Sequence, residues 1–219
     1  MTNEKSGSAG VADIRTEYRR ASLSEEDVND DPLTQFRQWF DEAVSAKVAE
    51  VNAMSLATVN EQGRPSSRIV LIKDMDQRGF TWFTHYTSRK GEELATRPYG
   101  ALLFFWPELE RQVRIEGRVE KISGADSDAY FHSRPISSQH GALASNQSKP
   151  IANREQLEHR ISEIAHQYGD VVPRPPTWGG FRLVPAYFEF WQGRPSRLHD
   201  RIAFIQNAEG GWMKNRLQP

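Results

Sequence analysis

The sequence predicts an α+β fold that is mainly β: an antiparallel barrel with helices packed around its outside. Three observations lead there. Strand-like segments follow one another as meanders joined by polar turns, without the regular βαβ alternation of a doubly wound sheet. Residues 112–122 alternate, with Val113, Ile115 and Val119 on one face and Arg114, Glu116, Arg118 and Glu120 on the other, as in a long strand with one wet side. Apolar residues at helical spacing appear in a few separate places rather than after every strand.

Taken in order, residues 1–14 are small and polar and read as a disordered tail. Residues 15–30 carry a basic patch (Arg15, Arg19, Arg20, with Tyr18) and then an acidic stretch (Glu25, Glu26, Asp27, Asp30). Neither part has an apolar face, so composition alone makes this a solvated arm. Asp31 is a good N-cap and Pro32 suits the first helical position, so a helix starts there, with Leu33, Phe36, Phe40, Ala43 and Val44 in register. MSLATV and SRIVLIK, parted by NEQGRP, read as a hairpin, and DMDQRG turns into FTWFT. Ser88 caps a short helix that ends before Pro98, and GALLFFW reads as a buried strand. Ser123 with Asp126 resembles a capping box, and Pro135 interrupts the helix that it opens. Asn153 caps a helix carrying Leu157, Ile161, Ile164, Ala165 and Tyr168, which Gly169 stops. After the stiff PRPP loop come strands GGFRLV, AYFEFWQ and RIAFIQ, and GWMKNRL pairs back across NAEGG. Residues 31–219 thus read as one domain without internal repeats.

The bulk numbers exclude several functions. The 219 residues include no cysteine, which removes disulfides, thiolate nucleophiles and Cys-held metals. Net charge is −1, with 28 basic and 29 acidic residues, so the basic excess of a nucleic-acid binder is missing. No apolar run reaches membrane-spanning length, and the N-terminus lacks a secretory h-region; the expectation is a cytoplasmic protein with no membrane partner. The short signatures for dinucleotides, nucleoside triphosphates, zinc proteases and serine hydrolases are absent, and no metal site is expected.

Three clusters carry chemistry. Arg68 and Lys73 flank an apolar strand, and Arg89 and Lys90 open the helix after the next one, where free N–H groups favour an anion. Each pair taken alone reads more readily as solvated strand-end charge. Tyr130, Arg134 and Ser138, spaced by four, form a set of donors suited to a second phosphate, or a capped helix end with an incidental Arg. The most specific cluster is FEFWQGRPSRLHDR, residues 188–201. There Trp191 offers an aromatic face, and Arg197, His199 and Arg201 alternate as if on one side of a strand. Three such groups together repel one another unless an anion joins them.

These segments resemble the pyridoxamine 5'-phosphate oxidase family. Residues 188–201 fit its signature position by position. RIVLIK at 68–73, SRK at 88–90, ERQV at 110–113, YFHSRP at 130–135 and NQS at 146–148 follow the family's blocks in order. The resemblance implies an FMN-binding split β-barrel, a homodimer with FMN in two clefts at the subunit interface. It implies cofactor contacts at Arg68, Ile69, Val70, Leu71, Ile72, Lys73, Phe83, Thr84, Arg89, Lys90, Gln112, Gln147, Ser148, Trp191 and Arg201. The substrate contacts it implies are Lys73, Tyr130, Arg134, Ser138, Arg197, Leu198 and His199, with Arg197 and His199 catalytic. Arg15, Thr16, Glu17 and Tyr18 resemble a mobile lid over the substrate, which replaces the idle arm read from composition. Thr16 and Glu50 depart from the common pattern, and Arg194 adds charge near the mouth. The implied activity is oxidation of pyridoxine 5'-phosphate and pyridoxamine 5'-phosphate by O2 to pyridoxal 5'-phosphate, releasing hydrogen peroxide, and ammonia from the amine. A split-barrel flavin reductase, or a non-catalytic pyridoxal phosphate binder, would share only part of these residues.

Overall fold

The computed structural model describes Val11 and residues 17–219. The expectations for the tail, and for Arg15 and Thr16, therefore lie outside the described residues, Val11 apart. Nine strands form one antiparallel sheet: β1 (Ala53–Val59), β2 (Pro65–Leu71), β3 (Asp74–Asp76), β4 (Gly79–His85), β5 (Tyr99–Trp106), β6 (Arg111–Lys121), β7 (Trp178–Gln192), β8 (Asp200–Gln206) and β9 (Trp212–Arg216). Among the described residues five α-helices accompany them: α1 (Pro32–Ser45), α2 (Arg89–Thr96), α3 (Gly124–Ser133), α4 (Ile136–Ala144) and α5 (Arg154–Tyr168). The main path runs β2-β1-β5-β6-β7-β4-β3, and β8 and β9 extend it from β7. Its two ends, β2 and β3, are joined by Ile72 and Lys73 alone. The Ile72 N–H donates to Asn52 and the Lys73 N–H to Thr81 (2.9 Å each), so the chain itself carries the sheet round on both sides. The expected α+β antiparallel barrel is what forms.

Apolar side chains alternate into the barrel: Met54 and Leu56, Phe80 and Trp82, Leu102 and Phe104, Val113 and Ile115. Helix α1 supplies the plug. Asp31 caps it, accepting from the Leu33 and Thr34 N–H groups, and Phe36, Trp39 and Ala43 are buried. Phe36 meets Phe80 and Phe104 edge-on, each at 4.9 Å between ring centroids. Trp39, absent from the sequence-based register, packs edge-on to Phe190, while Val44 is exposed.

Three expectations need correction. The two strands read as GGFRLV and AYFEFWQ are one 15-residue strand, β7. Pro185 is tolerated within it because pairing with β4 ends at Leu183 and pairing with β8 begins at Tyr187. Against β6, Pro185 faces Gly117 and Tyr187 faces Glu116, which leaves Ala186 as an extra, bulged residue. The bulge switches the inward phase, from Phe181 and Leu183 to Phe188 and Phe190. Second, β5 is not buried throughout: Phe105 is exposed and Leu103 half-buried on its outer face. Third, the arm does contribute apolar residues. Leu23 and Val28 are buried in the main core, and ion pairs from Arg216 to Glu25 and from Lys214 to Asp30 tie the segment to β9.

Removing the plug tests this packing. Phe36→Ala should cost about 3–5 kcal/mol. The urea midpoint should fall with an unchanged m-value, whereas an unchanged midpoint would mean that α1 does not close the barrel.

Candidate active site

A cleft of about 770 Å³ opens between β2, β4, the start of α2 and the α3–α4 break. The described residues lining it include five cations, Arg68, Lys73, Arg89, Lys90 and Arg134, and no carboxylate. Ile69, Val70, Leu71, Phe83, Thr84, Tyr130, Ser138, Gln147 and Ser148 also line it. The strand, helix-start and helix-break clusters read from the sequence therefore meet at one place. Ile72 does not: its side chain is buried in the core.

The geometry explains the convergence. Ser88 caps α2, accepting from the Gly91 N–H, and so aims the first turn at the cleft. Lys90 turns inward and is buried; its ammonium donates to Thr84 Oγ1 (3.2 Å), Ser88 Oγ (3.3 Å) and Gln147 Oε1 (3.1 Å). Burial, then the charge of Arg68, lowers the Lys90 pKa to about 8 against the opposing pull of Glu93. Arg68 donates to Thr58 Oγ1 (2.6 Å) and to the Leu56 carbonyl (3.1 Å).

Around the helix break, α3 ends at Ser133 and Arg134 is extended, so Tyr130, Arg134 and Ser138 do not share one continuous helix face. They line the cleft nonetheless, because the break bends the chain around it. Arg134 lies over the Trp178 ring (4.8 Å to the centroid) and donates to the Ser138 carbonyl (2.9 Å). Its Nη1 is buried without a partner among the described residues, and burial lowers its pKa. A buried unpaired guanidinium nitrogen is costly, and an anion in the cleft would satisfy it. Tyr130 stacks on Phe83 at 3.8 Å, with Trp178 parallel beyond. The sequence reading missed Trp178; an aromatic just before a glycine pair was its only signal.

The remaining site residues form a second group elsewhere. Gln112, Trp191 and Arg201 sit in one cross-strand row on β6, β7 and β8. Phe83 pairs with Gly180, and Trp191 lies 11 residues further along β7, roughly 35 Å of strand. The expected strand through Arg197 and His199 is not there. Pro195–Arg197 form a single 3₁₀ turn, Ser196 and Arg197 take left-handed φ values of 56° and 63°, and β8 starts only at Asp200. His199 instead packs against Trp191 (4.6 Å), and its Nδ1 accepts from the Arg194 N–H (3.1 Å). That leaves Nε2 to carry the proton of the neutral ring. Burial and the nearby Arg197 lower the His199 pKa, against the pull of Asp200, so the ring favours the neutral form. Tyr18 lies edge-on to Trp191 (5.6 Å) and to His199 (5.8 Å), while Glu17 is exposed and pairs with Arg19. Leu198 is exposed. Arg201 makes a two-pronged pair with the buried Glu189 (2.8 and 3.1 Å).

The lowered Lys90 pKa makes anion binding pH-dependent. Sulfate, which stays dianionic, should bind about tenfold more weakly at pH 9.5 than at pH 7, because Lys90 loses its proton as pH rises through about 8. Calorimetric titration would measure it, and Lys90→Met should abolish the difference. Equal affinity at both pH values in the parent would show that Lys90 does not face the anion.

Comparison with known proteins shows the family of the chain. Residues 40–168 match the family model described as pyridoxamine 5'-phosphate oxidase, and residues 178–219 match the pyridoxine 5'-phosphate oxidase C-terminal dimerisation region. The chain is 62% identical to the pyridoxine/pyridoxamine 5'-phosphate oxidase of Herminiimonas arsenicoxydans over 209 residues, covering 95% of this chain and 99% of the relative. Pyridoxine/pyridoxamine 5'-phosphate oxidase 1 of Ralstonia nicotianae is 61% identical over the same shares. Among solved structures, PhzG from Burkholderia lata, in complex with tetrahydrophenazine-1-carboxylic acid, superposes with a TM-score of 0.84 at 34% identity, covering 89% of this chain and 95% of that one. By both sequence and fold, the chain belongs to the pyridoxamine 5'-phosphate oxidase family.

Proposed function

We propose that the chain is an FMN-dependent oxidase that converts pyridoxine 5'-phosphate and pyridoxamine 5'-phosphate to pyridoxal 5'-phosphate, working as a homodimer. The observation that carries this reading is the cleft, which among the described residues has five lining cations, no lining carboxylate and an Arg134 nitrogen without a partner. Its donors fall into two sets, which suits two phosphates. Arg68, Arg89 and Lys90, with Thr84, Gln147 and Ser148, would hold the FMN phosphate and ribityl chain. Lys73, Tyr130, Arg134 and Ser138 would hold the substrate phosphate. The donor set thus fits the cofactor. FMN would supply acceptance of a hydride from the substrate's C4' and delivery of the electron pair to O2, giving hydrogen peroxide.

The second group would complete the site from the partner subunit. Ile69 and Leu71, exposed on the cleft wall, share the outer sheet face with exposed Phe105, which heads the row Gln112, Trp191 and Arg201. A two-fold copy packed on this face buries those apolar groups and carries its own row towards the cleft. Arg197 would then orient the substrate ring. His199 Nε2, protonated in the neutral ring, would donate a hydrogen bond rather than act as general base. Tyr18 would cover the site from the arm.

The experiment is aerobic turnover with FMN, following the aldehyde and hydrogen peroxide together. Both should appear in equal amounts from either phosphate ester. Arg134→Ala should raise KM by about 10- to 100-fold, the worth of one charge-assisted hydrogen bond, with kcat little changed. Arg197→Ala should lower kcat and leave FMN affinity intact. If FMN bound but neither ester turned over, the oxidase reading would fall. Oxidation of a tetrahydrophenazine carboxylate in that case would point to the PhzG-like reaction, for which the second phosphate set has no use.

A further inference from the structure

Behind the cleft wall stands a carboxylate that the reactions above do not use. Glu93, on the second turn of α2, is only 6% exposed at its side chain. Oε1 accepts from Arg89 Nε (2.9 Å). Oε2 accepts from the hydroxyls of Ser66 (2.7 Å) and Thr58, and lies 3.4 Å from Arg68 Nη2. Thr58 Oγ1 in turn accepts from Arg68 Nη1 at 2.6 Å. One buried acid thus bridges two cleft cations carried on different elements, β2 and α2. The Arg89 side chain is 61% exposed and Glu93 is the hydrogen-bonded partner of its Nε. Without that bond its rotamer would be free. Burial by itself would raise the Glu93 pKa, but the bonds from Thr58, Ser66 and Arg89 and the charge of Arg68 outweigh it and hold the group at about 2. The carboxylate therefore stays charged at any working pH.

We propose that Glu93 is a positioning residue that presets Arg68 and Arg89 for the phosphate of the cofactor. The inference rests on reading the cleft as the FMN site. It is distinct from a plain structural tie of α2 to the barrel, which would serve any ligand equally. It also differs from simple charge balance, under which removing the acid would strengthen anion binding. A preset guanidinium gives a stronger and more directional bond to phosphate than a free one.

The test compares FMN with riboflavin, which lacks the phosphate, by quenching of flavin fluorescence in apoprotein. Glu93→Gln keeps the volume but replaces one acceptor oxygen with a donor. FMN Kd should rise about tenfold or more while riboflavin Kd moves less than about threefold. Thr58→Val, which removes the hydroxyl shared by Glu93 and Arg68, should show the same selectivity with a smaller loss; it decides the matter if Glu93→Gln does not fold. Equal weakening of both flavins, no change, or tighter FMN binding would each overturn the proposal. The parent protein separates the two claims. If it binds riboflavin as tightly as FMN, the phosphate reading of the cleft fails first, independently of either variant.

Discussion

Like charges resist being gathered, and this chain gathers five of them. Arg68, Lys73, Arg89, Lys90 and Arg134 face one cleft with no carboxylate among the described lining residues. Folding opposes that arrangement: burial first, and then the charge of Arg68, lowers the Lys90 pKa, and burial leaves one nitrogen of Arg134 without a partner among the described residues. Such a site persists only where rigid elements fix each group against the repulsion. The barrel provides that rigidity: β2 carries Arg68, the capped start of α2 carries Arg89 and Lys90, and the α3–α4 break carries Arg134. Glu93 and Thr58 tie the first two together from behind.

The same sheet explains why the second group of residues stands apart from the cleft. Strand β7 pairs with β4 beside the cleft at one end and carries Trp191 at the other. The bulge at Ala186 lets one strand serve both neighbours while keeping Phe181 and Phe188 inside. A strand of this length cannot fold back on itself to bring its two ends together. A second copy, set across the outer sheet face, can do so without straining either chain, and a C-terminal region that matches a dimerisation model agrees with that solution.

Much of this was legible in the sequence because it depends on local rules. Asp31, Ser88, Ser123 and Asn153 were read as caps, and each accepts the backbone N–H that a cap should. The meander pairings follow from alternation and turn residues. What escaped reading depends on context that no neighbouring residue reveals. Pro185 marks a strand break by propensity, yet tolerance depends on which neighbours stop pairing there. Ser196 and Arg197 adopt left-handed φ without a glycine to announce it, so Arg197–His199–Arg201 looked like a continuous strand. Nothing in the local sequence sets Glu93 apart, because its surroundings come from Thr58 and Ser66 on distant strands. Leu23 and Val28 are two isolated apolar residues in a charged arm, and ion pairs to the last strand together with a hydrogen bond from the Leu23 N–H to Asp200 hold them against the core.

The central claim is that one working site is built from two chains, and complementation tests it most directly. Lys90→Met would impair the cleft, and Arg197→Ala the second group; each variant alone should keep little of the parent's activity. When they are unfolded together and refolded, random pairing makes half of the dimers mixed, each with one intact site. Activity should recover to about one quarter of the parent's. No recovery, with mixed dimers shown to be present, would mean that both groups act within a single chain and would contradict the account.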